Sequence, residues 1–310
     1  MILTVTPNAS IDKTYVVDGF GIDRIHRPST ITSSPGGKGI NVLRVFQELG
    51  GSGCATGFIG GRVGDTITEG LDALGIEHRM VRVNKESRLC IKVLDPSSGT
   101  QTELNETGPD IDAHEVELLS KRIESMLNGV DWLVLSGNVP PGVPVSFYGD
   151  MIRLAKSRGV KTVLDASDEQ LIEGVAAGPF MVKPNVHELS HLADQELVTI
   201  EEICSAAKSL KQYGINIVSV TVGRSGAMVT DGTHAWQATP PQIDFASAVG
   251  SGDSFVAGFL YELSSGGTLA DALALGTAAG AANATTYDAG SCSKSSIMDI
   301  RRGVVLSDLF

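Results

Sequence analysis

The chain has 310 residues, 42% of them hydrophobic and 19% charged, enough to bury a large core as one α/β domain or two smaller ones. Its net charge of −12 weighs against nonspecific binding to nucleic acid or an anionic membrane, since the field of the protein repels both. The four cysteines, Cys54, Cys90, Cys204 and Cys292, are scattered and form no C-x-x-C pair, so reduced thiols of a cytoplasmic protein fit better than a disulfide frame or a zinc site.

Compact apolar runs alternate with longer helical patterns. In chain order, residues 2–6 predict a strand, 39–49 and 66–74 helices, 113–127 a helix, 132–136 a strand and 144–157 a helix. Strands at 162–165 and 180–183, a helix at 200–211, a strand at 217–222 and helices at 253–263 and 269–285 complete the series. This alternation predicts a mostly parallel sheet with helices on both faces, and ligands beyond the carboxyl ends of its strands. Residues 13–17, 29–33, 89–95 and 100–104 read as strands without intervening helices, the last two joined by Pro96-Ser97-Ser98-Gly99; they predict a small antiparallel sheet acting as a lid. No element is predicted over 301–310. No basic stretch precedes a long apolar run at the N-terminus, and no run of about 18 apolar residues occurs, so neither a signal peptide nor a membrane span is expected.

Chemistry concentrates in glycine-rich turns. In Gly250-Ser251-Gly252-Asp253, ahead of an apolar helix, the glycines permit a tight turn that aims backbone N–H groups at one spot. The helix start adds its own unpaired amides and positive dipole end. A carboxylate in such an anion nest suits removal of a hydroxyl proton during phosphoryl transfer, although an ordinary loop with an Asp cap would read the same way. Gly36-Gly37-Lys38-Gly39-Ile40-Asn41 opens a helix but lacks the P-loop spacing; Lys38 and Asn41 suit hydroxyl and phosphate recognition. In Lys183-Pro184-Asn185-Val186-His187-Glu188, Asn185 and Glu188 share a helix face, either as a capping pair or as oxygen ligands that hold Mg²⁺ through water. Thr221-Val222-Gly223-Arg224-Ser225-Gly226 reads as a hairpin turn or a phosphate loop. Asp12, expected at the end of the first strand and so at the ligand edge of the sheet, can bind paired sugar hydroxyls.

The order of these motifs along the chain resembles the ribokinase-like, PfkB-type carbohydrate kinases, over essentially the whole sequence. The branch containing 1-phosphofructokinase and tagatose-6-phosphate kinase is the most similar, judged by residues 249–254, 36–42 and 102–111. The resemblance implies one kinase domain over 1–310, a three-layer α/β sandwich carrying a β lid from about 12–35 and 88–106. It implies ATP and Mg²⁺ as cofactors, Asp253 as catalytic base, and Gly250, Ser251 and Gly252 as the anion hole. Lys183, Asn185, Thr221, Gly223 and Gly226 would bind ATP, Asn185 and Glu188 would organise Mg²⁺, and Asn283 would line the purine pocket. Asp12, Gly37, Lys38 and Asn41 would bind the sugar, and Arg88, with Arg27 as a further candidate, its phosphate. One departure is Asn138, in Ser136-Gly137-Asn138-Val139-Pro140-Pro141-Gly142, where relatives carry serine; it bears on which sugar is accepted. A ketohexose phosphate, fructose 1-phosphate or tagatose 6-phosphate, is the expected substrate. The lid, with Ile31, Leu89, Ile91, Val93 and Leu104 on one face, is expected to join a homodimer. A silent sugar-phosphate sensor on the same fold is the competing class; a nicotinamide dehydrogenase would need an early G-x-G-x-x-G, which is absent.

Overall fold

In the computed structural model, which describes residues 1–309, the chain opens with β1 (Ile2–Thr6), β2 (Ser10–Val16) and β3 (Thr30–Gly36). Then come α1 (Lys38–Leu49), β4 (Gly53–Gly60), α2 (Gly61–Ala73), β5 (Val81–Val83), β6 (Arg88–Asp95), β7 (Thr100–Asn105) and α3 (Ala113–Met126). After these follow β8 (Trp132–Ser136), α4 (Phe147–Ser157), β9 (Lys161–Asp165), α5 (Asp168–Ala176), β10 (Met181–Val182), α6 (Val186–Ala193) and α7 (Ile200–Ser209). The last are β11 (Ile217–Thr221), β12 (Ala227–Thr230), β13 (Ala235–Thr239), α8 (Ser251–Ser264), α9 (Leu269–Ala284), α10 (Lys294–Arg301) and β14 (Val305–Asp308).

Among the described residues, ten strands form one sheet in the order β14-β13-β12-β11-β10-β9-β8-β1-β4-β5. Pairing is parallel from β11 through β5 and antiparallel from β11 out to β14. Strand alternation sorts side chains into two apolar layers. Leu3 and Val5 of β1 pack with Leu119 of α3, Ile152 of α4 and Ile203 of α7. Ile2 joins the opposite layer with Leu43 of α1, Phe259 of α8 and Ala278 of α9. The result is the expected three-layer sandwich. No helix among the described residues is long and apolar enough to cross a membrane.

The lid is a separate sheet in the order β3-β2-β6-β7. Its two hairpins are antiparallel inside, and β2 pairs with β6 in parallel. The reason lies in the body: β2 follows β1, β6 follows β5, and those strands run in one direction, so both hairpins rise from the same edge. The two-residue period splits the lid into faces. Asp12, Arg88 and Lys92 line the cleft beneath. On the opposite face Tyr15 pairs with Ile31 and Val93, and Ile91 with Leu104; Ile31 and Leu104 are 59% and 62% exposed.

Several elements carried no sequence signal. β4 reads Gly-Cys-Ala-Thr-Gly-Phe-Ile-Gly and is buried throughout; its glycines mark it as loop until neighbours on both edges supply the pairing. α2 starts at Gly61 rather than near 66 for the same reason. β12 to β14, α5 and α10 were not predicted either, and β14 occupies the C-terminal stretch where no element was expected.

Candidate active site

A cleft of about 1000 Å³ opens beyond the carboxyl ends of the parallel strands, under the lid. Its floor is the start of α8. Gly250 caps this helix at φ 82, in the left-handed region, and a Cβ there would stand 2.7 Å from that of Ala289, so glycine is required twice over. Whereas α3, α6, α7 and α9 begin with capping boxes, no side chain caps α8. The Ser251 amide donates to the Ala248 carbonyl at 3.2 Å and the Ser254 amide to that of Gly250 at 2.9 Å. The Gly252 and Asp253 amides are left without a partner among the described residues, which is the anion-binding arrangement of an open helix start.

Asp253 stands in the first turn of α8, only 4% exposed. Its Oδ2 accepts a hydrogen bond from Asn41 Nδ2 at 2.9 Å, and Lys38 Nζ lies 3.8 Å from Oδ1. Burial lifts its pKa above the ordinary carboxylate value, and Asp165 adds to the rise, while Lys38 and Asn41 pull against it; the result is a carboxylate with raised affinity for a proton. Asp165, at the end of β9, is 1% exposed and lies 3.1 Å from Lys183 Nζ and 3.4 Å from Lys38 Nζ. Burial opposes its charge too, but the two ammoniums outweigh that, and its pKa falls below the usual value. Lys38 is shifted up by Asp165 first, against burial, with Asp253 and Glu188 adding to the rise. Four charges thus alternate in sign from Lys183 through Asp165 and Lys38 to Asp253.

The wall toward the lid carries Asp12, Asn41 and Arg88. The Asp12 carboxylate accepts from Ser10 Oγ at 2.6 Å and occupies the space that a side chain at Gly36 would fill. Burial raises its pKa, against the pull of Ser10, Arg88 and Lys92. Asn41 Oδ1 is buried with no partner, an acceptor left for a ligand. Arg88 donates to the carbonyls of Asn8 and Glu106 at 3.1 and 3.3 Å and lines the cleft. The opposite wall carries Lys183, Asn185, Glu188, Thr221, Gly223 and Gly226, with Ala281 and Ala284 of α9 beyond them.

The pfkB family carbohydrate kinase model matches residues 5–296. The chain belongs to the pfkB family of carbohydrate kinases. It is 35% identical over 285 residues to a 1-phosphofructokinase of Borreliella burgdorferi, covering 92% of each chain. It is 36% identical over 261 residues to a tagatose-6-phosphate kinase of Staphylococcus epidermidis, covering 83% of this chain and 84% of that one. Its fold superposes on Escherichia coli phosphofructokinase-2 in complex with fructose-6-phosphate with a TM-score of 0.90 at 29% identity, covering 97% and 98% of the two chains.

Within this pfkB kinase most residues singled out from sequence converge on one cleft, and three do not. Arg27 is exposed in the loop between β2 and β3 and is not part of the cleft wall. Asn138 is exposed as well; its Oδ1 accepts from Ser167 Oγ at 2.8 Å and it stands outside the cleft. Asn283 is fully buried. Its amide donates to the Val249 carbonyl at 2.7 Å, and its Oδ1 accepts from the Gly290 amide at 2.7 Å, so it braces the turn before α8, and the nearby lining falls to Ala281 and Ala284. Asn185 and Glu188 do form a capping box, with both bonds at 2.8 Å, while also facing the cleft. Thr221 to Ala227 is a hairpin turn in its backbone and lines the cleft as well. Asp165 was missed, although an acidic residue at a strand end is the signal that drew attention to Asp12, which the structure instead places inside β2 of the lid. Lys92 and Glu103 on the lid, and Arg224 stacked 5.3 Å from the Phe245 ring, were missed too; the segment around Phe245 has no period to read.

Proposed function

We propose that this kinase transfers the γ-phosphoryl group of ATP to the free primary hydroxyl of fructose 1-phosphate, forming fructose 1,6-bisphosphate and ADP. The observation that carries the reading is the buried Asp253 beside the open amides of α8, facing a wall that holds Asp12 and Arg88. Asp12 and Asn41 orient the sugar hydroxyls, and Arg88 holds the phosphate already present. Asp253 takes the proton of the attacking hydroxyl as its oxygen bonds to the γ-phosphorus and the bond to the β-phosphate oxygen breaks. The Gly252 and Asp253 amides and Lys38 meet the charge that develops. Lys183, Thr221 and Gly223 line the donor side.

Mg²⁺ fits as a water-borne partner. Glu188 commits Oε2 to its capping bond and keeps Oε1 for a hydrated cation, and no cluster of three or more acidic, His or Cys ligands exists among the described residues. Mg²⁺ commonly keeps several waters and phosphate oxygens around one or two carboxylates, and when bound it neutralises charge on the donor phosphates.

Tagatose 6-phosphate is the second reading, favoured by the near-equal identities to the two kinds of relative. A fructofuranose has a CH₂O group at each end, and one phosphate clamp serves either orientation. We infer a lid-to-lid homodimer from the exposed Ile31 and Leu104, and work in the cytoplasm from the four free cysteines and the use of ATP. The test is ADP release with Mg²⁺-ATP and a panel of ketohexose phosphates. Fructose 1-phosphate is expected to give the highest kcat/KM; a higher value for tagatose 6-phosphate would select the second reading, and no release with any sugar phosphate would leave the silent sensor.

A further inference from the structure

Three side chains tie the lid to the loops around the start of α8 and the end of α9. Gln101 Oε1 accepts from Ser247 Oγ at 3.0 Å, and Ser34 Oγ donates to Asp288 Oδ1 at 2.7 Å. These are complete bonds between small polar groups. Lys92 differs. The only hydrogen bond of its ammonium among the described residues is to the Tyr287 carbonyl at 3.4 Å, at the long end for a group that carries three donors. The residue is only 8% exposed and lines the cleft. Burial lowers its pKa below the ordinary lysine value, outweighing the pull of Asp12, Glu103 and Asp288 around it, none of which comes within the 4.0 Å of an ion pair. A buried cation with unspent donors is expensive unless something else meets it.

Its position says what that is. Arg88 and Lys92 are four residues apart on β6 and share the cleft face, about 13 Å along the strand, with Asp12 opposite Cys90 midway between them. The Arg88 end rests against Asn8 and Glu106. The Lys92 end rests against the loop after α9, where Gly290 bonds Asn283, the residue that braces the anion nest. One lid cation therefore stands at the acceptor end of the cleft, and the other against the loop that is braced to the nest. We propose that Lys92 is a catalytic residue that hydrogen-bonds the phosphoryl group in transit and the phosphate newly formed on the sugar. This rests on the sugar-phosphate kinase reading. With the lid shut, the group passes between the α8 amides below and Lys92 above, and the lid registers transfer through a contact that the monophosphate alone does not make.

Lys92→Met and Lys92→Arg test this beside the wild type, with the monophosphate turned over faster of fructose 1-phosphate and tagatose 6-phosphate, and with its bisphosphate. Calorimetric titration of Lys92→Met should show bisphosphate affinity lower by about tenfold or more, the scale of one charge-assisted bond, with monophosphate affinity changed by about twofold at most. kcat should fall at least tenfold with KM for the sugar phosphate little moved, and Lys92→Arg should recover much of the loss. Equal changes in affinity for mono- and bisphosphate, or no change in either, would overturn the inference while the wild type still turns over. A wild type that releases no ADP with either monophosphate would overturn the kinase reading and this inference with it.

Discussion

On the floor of the cleft the charges are matched within the body itself. Asp165 holds Lys183 at 3.1 Å and Lys38 at 3.4 Å, and Lys38 reaches toward Asp253 at 3.8 Å. On the lid, Arg88 hydrogen-bonds two carbonyls and Lys92 one among the described residues, and the outer face leaves Ile31 and Leu104 in water. The floor is built on helix starts and strand ends between two apolar layers, so its geometry is fixed before any ligand arrives. The lid has one layer and no core of its own, and small sheets of that kind are marginal alone. Its cations and its apolar face both await partners: a phosphorylated sugar on one side and, on our proposal, a second copy on the other. Preorganised charge on the floor meets the transition state from below, and the adaptable charge of the lid comes to it only once the substrates are bound.

The floor should break hardest. Asp253→Asn keeps shape and removes the base, so kcat should fall by about 10²–10⁴-fold with ATP and sugar affinities little changed; near-normal steady-state turnover would remove Asp253 from that role. Asp165→Asn leaves Lys183 as a buried ammonium with no carboxylate. Breaking such a pair costs about 3–5 kcal/mol, which urea denaturation should register; a variant as stable as the wild type would show that the floor is not held by this pair.

The lid should fail more gently. Arg88→Ala should raise KM for the sugar phosphate by about 10–100-fold, the scale of a lost charge-assisted contact, and leave KM for ATP unchanged. A rise in KM for ATP instead would place Arg88 on the donor side. Back on the floor, Lys38 tunes the base. Asp253 accepts a proton only when ionised, and its pKa is raised, so kcat/KM should decline on the acid side at higher pH than for an exposed aspartate. Removing the ammonium in Lys38→Met should move that limb higher still; an unmoved limb would mean that another group sets it. The smallest effect on activity is expected for Ile91→Asp, a charge on the outer lid face opposite Leu104. It should shift the sedimentation of the proposed dimer toward monomer and raise KM for sugar only a few-fold. A wild type that already sediments as a monomer would end the dimer proposal and leave the rest standing.

The difference between floor and lid also governs what the sequence discloses. The floor was legible because its chemistry is local. A helix start needs glycine at a left-handed residue, and Gly250-Ser251-Gly252-Asp253 shows that need in adjacent letters. Asp165 escaped because its meaning comes from Lys38 and Lys183, which only the fold brings near. The lid strands were visible through their period, and the same alternation that set Leu89, Ile91 and Val93 on one face set Arg88, Cys90 and Lys92 on the other, so Lys92 was within reach. Arg27 and Asn138 looked suited to ligand contact by type and resemblance, yet the loops that carry them stand off the cleft. Asn283 was placed near the nucleotide side, but burial turned it to bracing backbone. β4 and β12 to β14 are short or glycine-containing strands that depend on neighbours for pairing, and no local pattern announces them.

On the proposed reaction, the γ-phosphoryl group of ATP ends on the sugar phosphate. Phosphorus-31 NMR of the wild type with Mg²⁺-ATP and fructose 1-phosphate follows it directly, with Asp253→Asn run in parallel. ATP should convert to ADP as a new sugar phosphomonoester resonance grows in equal amount, and the variant should do this at least about a hundredfold more slowly. ATP consumed into inorganic phosphate without the new phosphomonoester, or equal rates in the two proteins, would rule out phosphoryl transfer to the sugar through Asp253.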